Sequence, residues 1–252
     1  MGFELTAAAQ RNRPGGAVRT ALVVTAVAVV SVCAACGGGG GDNSTEQAAP
    51  ARWVVLGSST AAGVGASTGQ SWAARLDAAL RNRGGQLDNR ARSGATTYHA
   101  LPAAAARSAG RPATDPAQDV ATALGAPARA LILAFPSNDA VSGYAAAETL
   151  ANLRLMGELA RQRGVAVIVL SSQPRNDAGP QARTAMLDTD TALAAELGAC
   201  FVAVRGDLAD AQQRLSADLG AGDGVHLNDA GHGRVFDKLW ATVTAGRCVS
   251  PP

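Results

Sequence analysis

Residues 53–60 read Trp53-Val54-Val55-Leu56-Gly57-Ser58-Ser59-Thr60. Four apolar residues run without alternation into a glycine and three hydroxyl side chains. Such a run is expected as a short strand buried on both faces, with the polar tail as its exit loop. Apolar runs return at 130–135 (ALILAF), at 165–170 (VAVIVL) and at 200–204 (CFVAV), and Leu87 to Ala91 reads as a weaker second strand. Between these runs the apolar residues fall at helical spacing. Trp72, Leu76, Ala79 and Leu80 form one such set, stopped by Gly84-Gly85. Further helices are predicted over 145–163, 180–197, 207–219 and 229–246. The alanine-rich stretch 98–125 is predicted to be helical in two pieces, broken around Pro112 and Pro116. Five apolar strands separated by helices predict an α/β chain. The expected architecture is a three-layer α/β/α sandwich around a central five-stranded parallel sheet, flavodoxin-like in kind.

A chain of 252 residues suits one such domain. Aromatics make up only 4% of it, so the core must come from Val, Leu, Ile and Ala. Of 22 basic and 20 acidic residues, Arg11, Arg13, Arg19 and Glu4 lie in the first 35, leaving 19 of each sign. A neutral remainder gives no electrostatic case for nucleic acid.

The N-terminus reads as an address. Arginines precede an apolar run from Ala21 to Val32, and small residues follow. That order is expected of a secretory signal over residues 1–35. The run is also short for a spanning helix, which needs about 20 residues. Ala34-Ala35-Cys36 resembles a bacterial lipobox, with Cys36 as the lipidated residue and Cys33 as its rival. The five glycines 37–41 then read as part of a flexible tether over 36–50. Residues 51–252 form the expected folded domain, an exported lipoprotein held at the cell envelope by its lipid. Cys200 and Cys248 are candidates for a disulfide in an oxidising compartment, the alternative being two unpaired thiols.

In a parallel sheet, function gathers at the loops that leave the carboxyl ends of the strands. Those loops carry Gly57-Ser58-Ser59-Thr60, Arg92-Ser93-Gly94-Ala95, Pro136-Ser137-Asn138-Asp139 and, past the fifth strand, Gly222-Asp223-Gly224-Val225-His226. In order and rough spacing these segments resemble the four sequence blocks of SGNH (GDSL-like) hydrolases. The resemblance covers most of residues 52–245. It implies Ser59 as nucleophile and Asp223 and His226 as its partners. It implies an oxyanion hole from Ser59, Gly94 and Asn138. Two positions depart from the family pattern. Ser58 stands where an Asp is usual, and Pro136 stands where a Gly is usual. The chemistry agrees with the resemblance. A serine hydroxyl needs a base, the base needs an orienting acid, and the tetrahedral oxyanion needs donors.

Other residues compete for these roles. Gly65-Ala66-Ser67-Thr68-Gly69 matches the nucleophile-elbow pattern, but it lies well past the first strand, so Ser67 is read as loop. His232 is expected to be structural or solvent-facing, and His99 to sit at a helix start. Asp139 is expected to cap a helix or to bind nearby amides. Arg92 and Arg175 are read as solvated surface. No metal site or cofactor is expected, and neither is nucleic acid; a monomer is. The function expected is hydrolysis of a small-molecule, glycan or lipid ester through an acyl-enzyme. Two alternatives stand beside it: a weakly active module that binds cell-envelope glycan, and a sugar O-acyltransferase.

Overall fold

In a computed structural model of the protein, the structure describes residues 51–249, 251 and 252. The expected signal segment, Cys36 and the tether lie outside the described residues. The chain enters at β1 (Ala51–Gly57) and turns through α1 (Ser59–Ala62) into α2 (Trp72–Arg81). Next come β2 (Gly85–Asn89), α3 (Thr97–Ala100), α4 (Val120–Ala123) and β3 (Ala130–Ala134). After them stand α5 (Pro136–Val141), α6 (Ala146–Arg161) and β4 (Ala166–Leu170). The last elements are α7 (Pro180–Leu197), β5 (Phe201–Val202), α8 (Arg205–Leu208) and α9 (Asp229–Thr244).

The five strands form one parallel sheet in the order β2-β1-β3-β4-β5. Val55 registers with Ile132, and Ile132 with Ile168. Successive side chains alternate between faces, so each strand feeds two cores. Trp53, Val55 and Ile132 pack on one face with Leu76 and Leu80 of α2 and Leu239 and Val243 of α9. Val54, Leu56, Leu131 and Leu133 pack on the other with Leu153 and Met156 of α6. This is the three-layer sandwich read from the sequence. The strand order reverses between β1 and β3, and a crevice forms outside the carboxyl ends of strands that flank such a reversal. Ser59 follows β1, and Asn138 follows β3.

Two stretches expected to be helical do not form as read. Within 98–125 only the single turns α3 and α4 are helical. The Arg107 guanidinium donates to the carbonyls of Pro102, Ala103 and Ala105. The Pro102 carbonyl also accepts from the Ala105 amide at 2.9 Å, a single turn that does not continue into helix, so high alanine content is overridden locally. Arg111 then anchors the loop to Glu148 of α6 with bonds of 2.5 and 2.7 Å. Within 207–219 helix stops at Leu208. Asp210 Oδ1 accepts from the amides of Gln212 and Arg214, both at 2.9 Å, and an antiparallel bridge joins Ala209 to Leu215. The carboxylate closes a turn where a helix would continue. The fifth strand is also shorter than read.

Cys200 and Cys248 are joined by a disulfide, with 5.1 Å between their Cα atoms. It ties the entry of β5 to the segment after α9 and closes a loop of 48 residues. Chain-entropy arguments give such a loop up to about 4 kcal/mol of stabilisation. Replacing both cysteines by serine is expected to lower the melting temperature by roughly 10 °C for a domain of this size. Thermal unfolding of the two proteins checks this, and equal melting temperatures would contradict it.

Candidate active site

The site is built on a tight exit from β1. Gly57 has to be a glycine, because a Cβ there would lie 2.7 Å from Ala61 Cβ and 3.1 Å from the Ala134 carbonyl. That close approach lets α1 fold back over β1 and β3. Ser58 keeps an extended backbone, and helix begins at Ser59. Gly63, with φ of 95°, ends it after one turn. Ser59 is the first helical residue, so its amide has no intrahelical acceptor and stays available as a donor. Ser58 is buried and lines a cavity of about 40 Å³ with Thr60, Ala134, Ser137, Ser171 and Gln173.

The second component arrives from the segment before α9. Asp223 Oδ1 accepts from the amides of Val225 at 2.9 Å and His226 at 2.8 Å. One oxygen thus shapes the turn, and the other faces the imidazole. His226 Nδ1 donates to Asp223 Oδ2 at 2.6 Å, and His226 Nε2 lies 2.9 Å from Ser59 Oγ. The carboxyl of Asp223 is held well below the usual carboxylate range, first by the His226 amide, then by the imidazole and the Val225 amide. An ionised Asp223 selects the tautomer with its proton on Nδ1, which leaves Nε2 to accept from the serine. The loop over 63–69 packs on this turn: a Cβ on Gly65 would meet the Leu227 carbonyl at 2.2 Å.

The third component comes from the loops after β2 and β3. Gly94 sits at φ of 78° in the loop after β2. Asn138, on the first turn of α5, donates from Nδ2 to the Ala95 carbonyl at 2.9 Å. Asp139 beside it is fully buried and accepts from the amide and hydroxyl of Thr97. Asn152 of α6 donates in turn to that hydroxyl at 2.8 Å. Asp139 thereby ties the Gly94 loop to the helix that carries Asn138.

Several placements were not legible in the sequence. Gln173, after β4, accepts from the Thr60 hydroxyl at 2.7 Å and donates to the Val225 carbonyl. It bridges the Ser59 helix to the His226 turn. The Asn176 amide donates to the Gly224 carbonyl at 2.8 Å. Arg175 is not the solvated arginine expected: its side chain is 12% exposed and donates to Asn138 Oδ1 at 2.6 Å. No motif marks these residues. The one signal is their position on the loop leaving a central strand. Ser67 lies in the loop, and its amide donates to Asp229 at 2.7 Å. His232 is fully buried; its Nδ1 accepts from the Trp72 amide and its Nε2 donates to the Val64 carbonyl. Burial lowers its pKa, so it acts as a neutral brace. His99 caps α3 by accepting from the Thr96 amide, and Arg92 pairs with Asp115 at the surface.

Burial pushes the Asp139 carboxyl up to about 6, against the bonds from Thr97 that lower it. Below about pH 4 the group is protonated in folded and unfolded chains alike. Between about pH 4 and pH 6 the folded chain keeps a proton that the unfolded chain has lost, so its contribution to stability falls as pH rises. The change amounts to ~3 kcal/mol. Asp139→Asn removes this dependence. Its stability deficit against wild type is therefore expected to shrink by ~2–3 kcal/mol between about pH 4 and pH 7.5. Urea unfolding of both proteins at the two pH values checks this, and a constant deficit would contradict it.

With this geometry in hand, comparison places the chain among known proteins. No curated protein matches it in sequence. Solved structures do match it in fold. The structure of TesA is 24% identical and covers 77% of this chain and 98% of its own, with a TM-score of 0.55. The psychrotrophic esterase EstA from Pseudoalteromonas sp., inhibited by monoethylphosphonate, is 16% identical, covers 77% and 97%, and gives a TM-score of 0.58. A member of the lipolytic protein G-D-S-L family from Veillonella parvula is 20% identical, covers 77% and 98%, and gives 0.56. The sequence model of the GDSL-like lipase/acylhydrolase family matches residues 55–234, a span that includes Ser59, Gly94, Asn138, Asp223 and His226. By that match the chain belongs to the GDSL-like lipase/acylhydrolase family.

Proposed function

We propose that the protein is an exported, lipid-anchored serine esterase that cleaves carboxylic esters through an acyl-enzyme on Ser59. The observation that carries this reading is the continuous hydrogen-bonded relay from Ser59 through His226 to Asp223. Family membership supports ester hydrolysis as its chemistry. The secretory signal, the lipid on Cys36 and the monomeric state are part of the proposal and rest on the sequence.

In the proposed mechanism, His226 Nε2 takes the Ser59 proton as Oγ attacks the ester carbonyl. Asp223 stabilises the imidazolium without taking its proton. The developing oxyanion is met by the amides of Ser59 and Gly94 and by Asn138 Nδ2. As the tetrahedral adduct collapses, His226 returns the proton to the leaving alcohol. A water activated by the same imidazole then releases the acid. The short, small-residue loop from Gly57 to Gly65 supports an open site and short acyl chains as the preferred substrates.

The full chain is assayed on p-nitrophenyl esters from acetate to palmitate. Acetate and butyrate are expected to turn over faster than palmitate. Ser59→Ala is expected to lose activity by about 10³-fold or more, and Asn138→Ala to lose kcat by about 10²–10³-fold. Ser67→Ala is expected to match wild type. Equal activity in Ser59→Ala and wild type would sink the assignment. Folded protein without turnover on any ester would favour a glycan-binding module.

A further inference from the structure

Within the esterase reading, we propose that Arg175 is a positioning residue for the oxyanion hole, fixing the Asn138 side-chain amide so that one N–H faces the reacting carbonyl. A terminal amide turns about a broad, two-fold torsion. If it flips, it presents a carbonyl oxygen to a developing negative charge, which reverses the sign of the interaction. Something has to hold it.

Two bonds do so here. Asn138 Nδ2 donates to the Ala95 carbonyl at 2.9 Å, and Asn138 Oδ1 accepts from Arg175 Nη1 at 2.6 Å. A guanidinium only donates, and a backbone carbonyl only accepts. The pair therefore leaves one orientation of the amide. Nδ2 carries two hydrogens, and one is committed to Ala95. The other is fixed in direction by the amide plane and remains for the substrate.

Arg175 can impose this because its own guanidinium is clamped. Nε and Nη2 grip the two oxygens of Asp177 at 2.9 and 2.7 Å. The fork leaves Nη1 aimed at Asn138, and the pair lowers the Asp177 carboxyl below its usual range. A planar, five-donor group serves both partners at once, whereas an ammonium lacks that fork. The loop that presents Arg175 also presents Gln173 and Asn176, which touch the Ser59 helix and the His226 turn. One segment after β4 thereby sets the oxyanion amide relative to the nucleophile and its base.

The test compares wild type, Arg175→Met, Arg175→Lys, Asn138→Ala and Asn138→Ala/Arg175→Met in the full chain, with p-nitrophenyl acetate as substrate. Arg175→Met is expected to lower kcat by about tenfold, with KM changed by less than about twofold. Arg175→Lys is expected to recover part of the loss. In the Asn138→Ala background the Arg175 change is expected to cost less than about twofold, because the group it positions is gone. A full tenfold loss in that background would overturn the proposal and leave the esterase reading intact. Were Arg175→Met not to fold, the same cycle is run with Arg175→Lys. Without Ser59-dependent turnover in wild type the esterase reading itself fails. Nitrogen-15 relaxation of the Asn138 side-chain amide then decides: restricted in wild type and mobile in Arg175→Met supports the fixing of the amide, and equal mobility overturns it.

Discussion

The hydrogen bond between His226 Nε2 and Ser59 Oγ spans 167 residues of sequence and is 2.9 Å long. Such a bond weakens within a few tenths of an ångström. Two loops from distant parts of the chain must therefore be held at a fixed separation, and much of the local structure serves that end. Ser59 is fixed by the β1 exit, where a glycine and two alanines let α1 lie directly on the sheet. His226 has no strand directly before it, since β5 ends at Val202. Its turn is instead braced by its neighbours: the Asp223 carboxylate from within, the Gln173 side chain and the Asn176 backbone amide from the β4 loop, and the Gly65 loop packed on Leu227.

This division of labour follows from the sheet. The strands β1, β3 and β4 are central, buried on both faces and registered residue for residue. Loops leaving rigid strands inherit their precision. The loops after β1, β3 and β4 carry Ser59, Asn138 and Arg175 and form a frame. The Gly94 loop follows the edge strand β2 and is tied to that frame through Thr97 and the buried Asp139. A buried carboxylate that accepts from an amide and a hydroxyl is costly unless satisfied, and here that cost is spent on joining two parts of one site.

The sequence made the sheet legible because unbroken apolar runs such as residues 165–170 have few alternative readings. It made Ser59, Asp223 and His226 legible because each sits in a short block at an expected distance from a strand. Residues 98–125 and 207–219 misled for one reason. Alanine content and spacing speak for helix, but Arg107 and Asp210 divert the backbone groups that a helix needs. Those competing bonds depend on which side chain folds back, which periodicity does not encode. Arg175 and Gln173 were hidden for a related reason. Each is an ordinary polar residue in a loop, and its role comes from distant partners: Asn138, 37 positions from Arg175, and Val225 and Thr60, 52 and 113 positions from Gln173.

The measurement that tests this account most directly is the crystal structure of the protein after reaction with a small alkyl fluorophosphonate. The account predicts phosphorus bonded to Ser59 Oγ. It also predicts a phosphoryl oxygen within about 3 Å of the Ser59 amide, the Gly94 amide and Asn138 Nδ2, with Arg175 still on Asn138 Oδ1. An adduct on Ser67, or a phosphoryl oxygen turned away from Asn138 while Ser59 is modified, would contradict it.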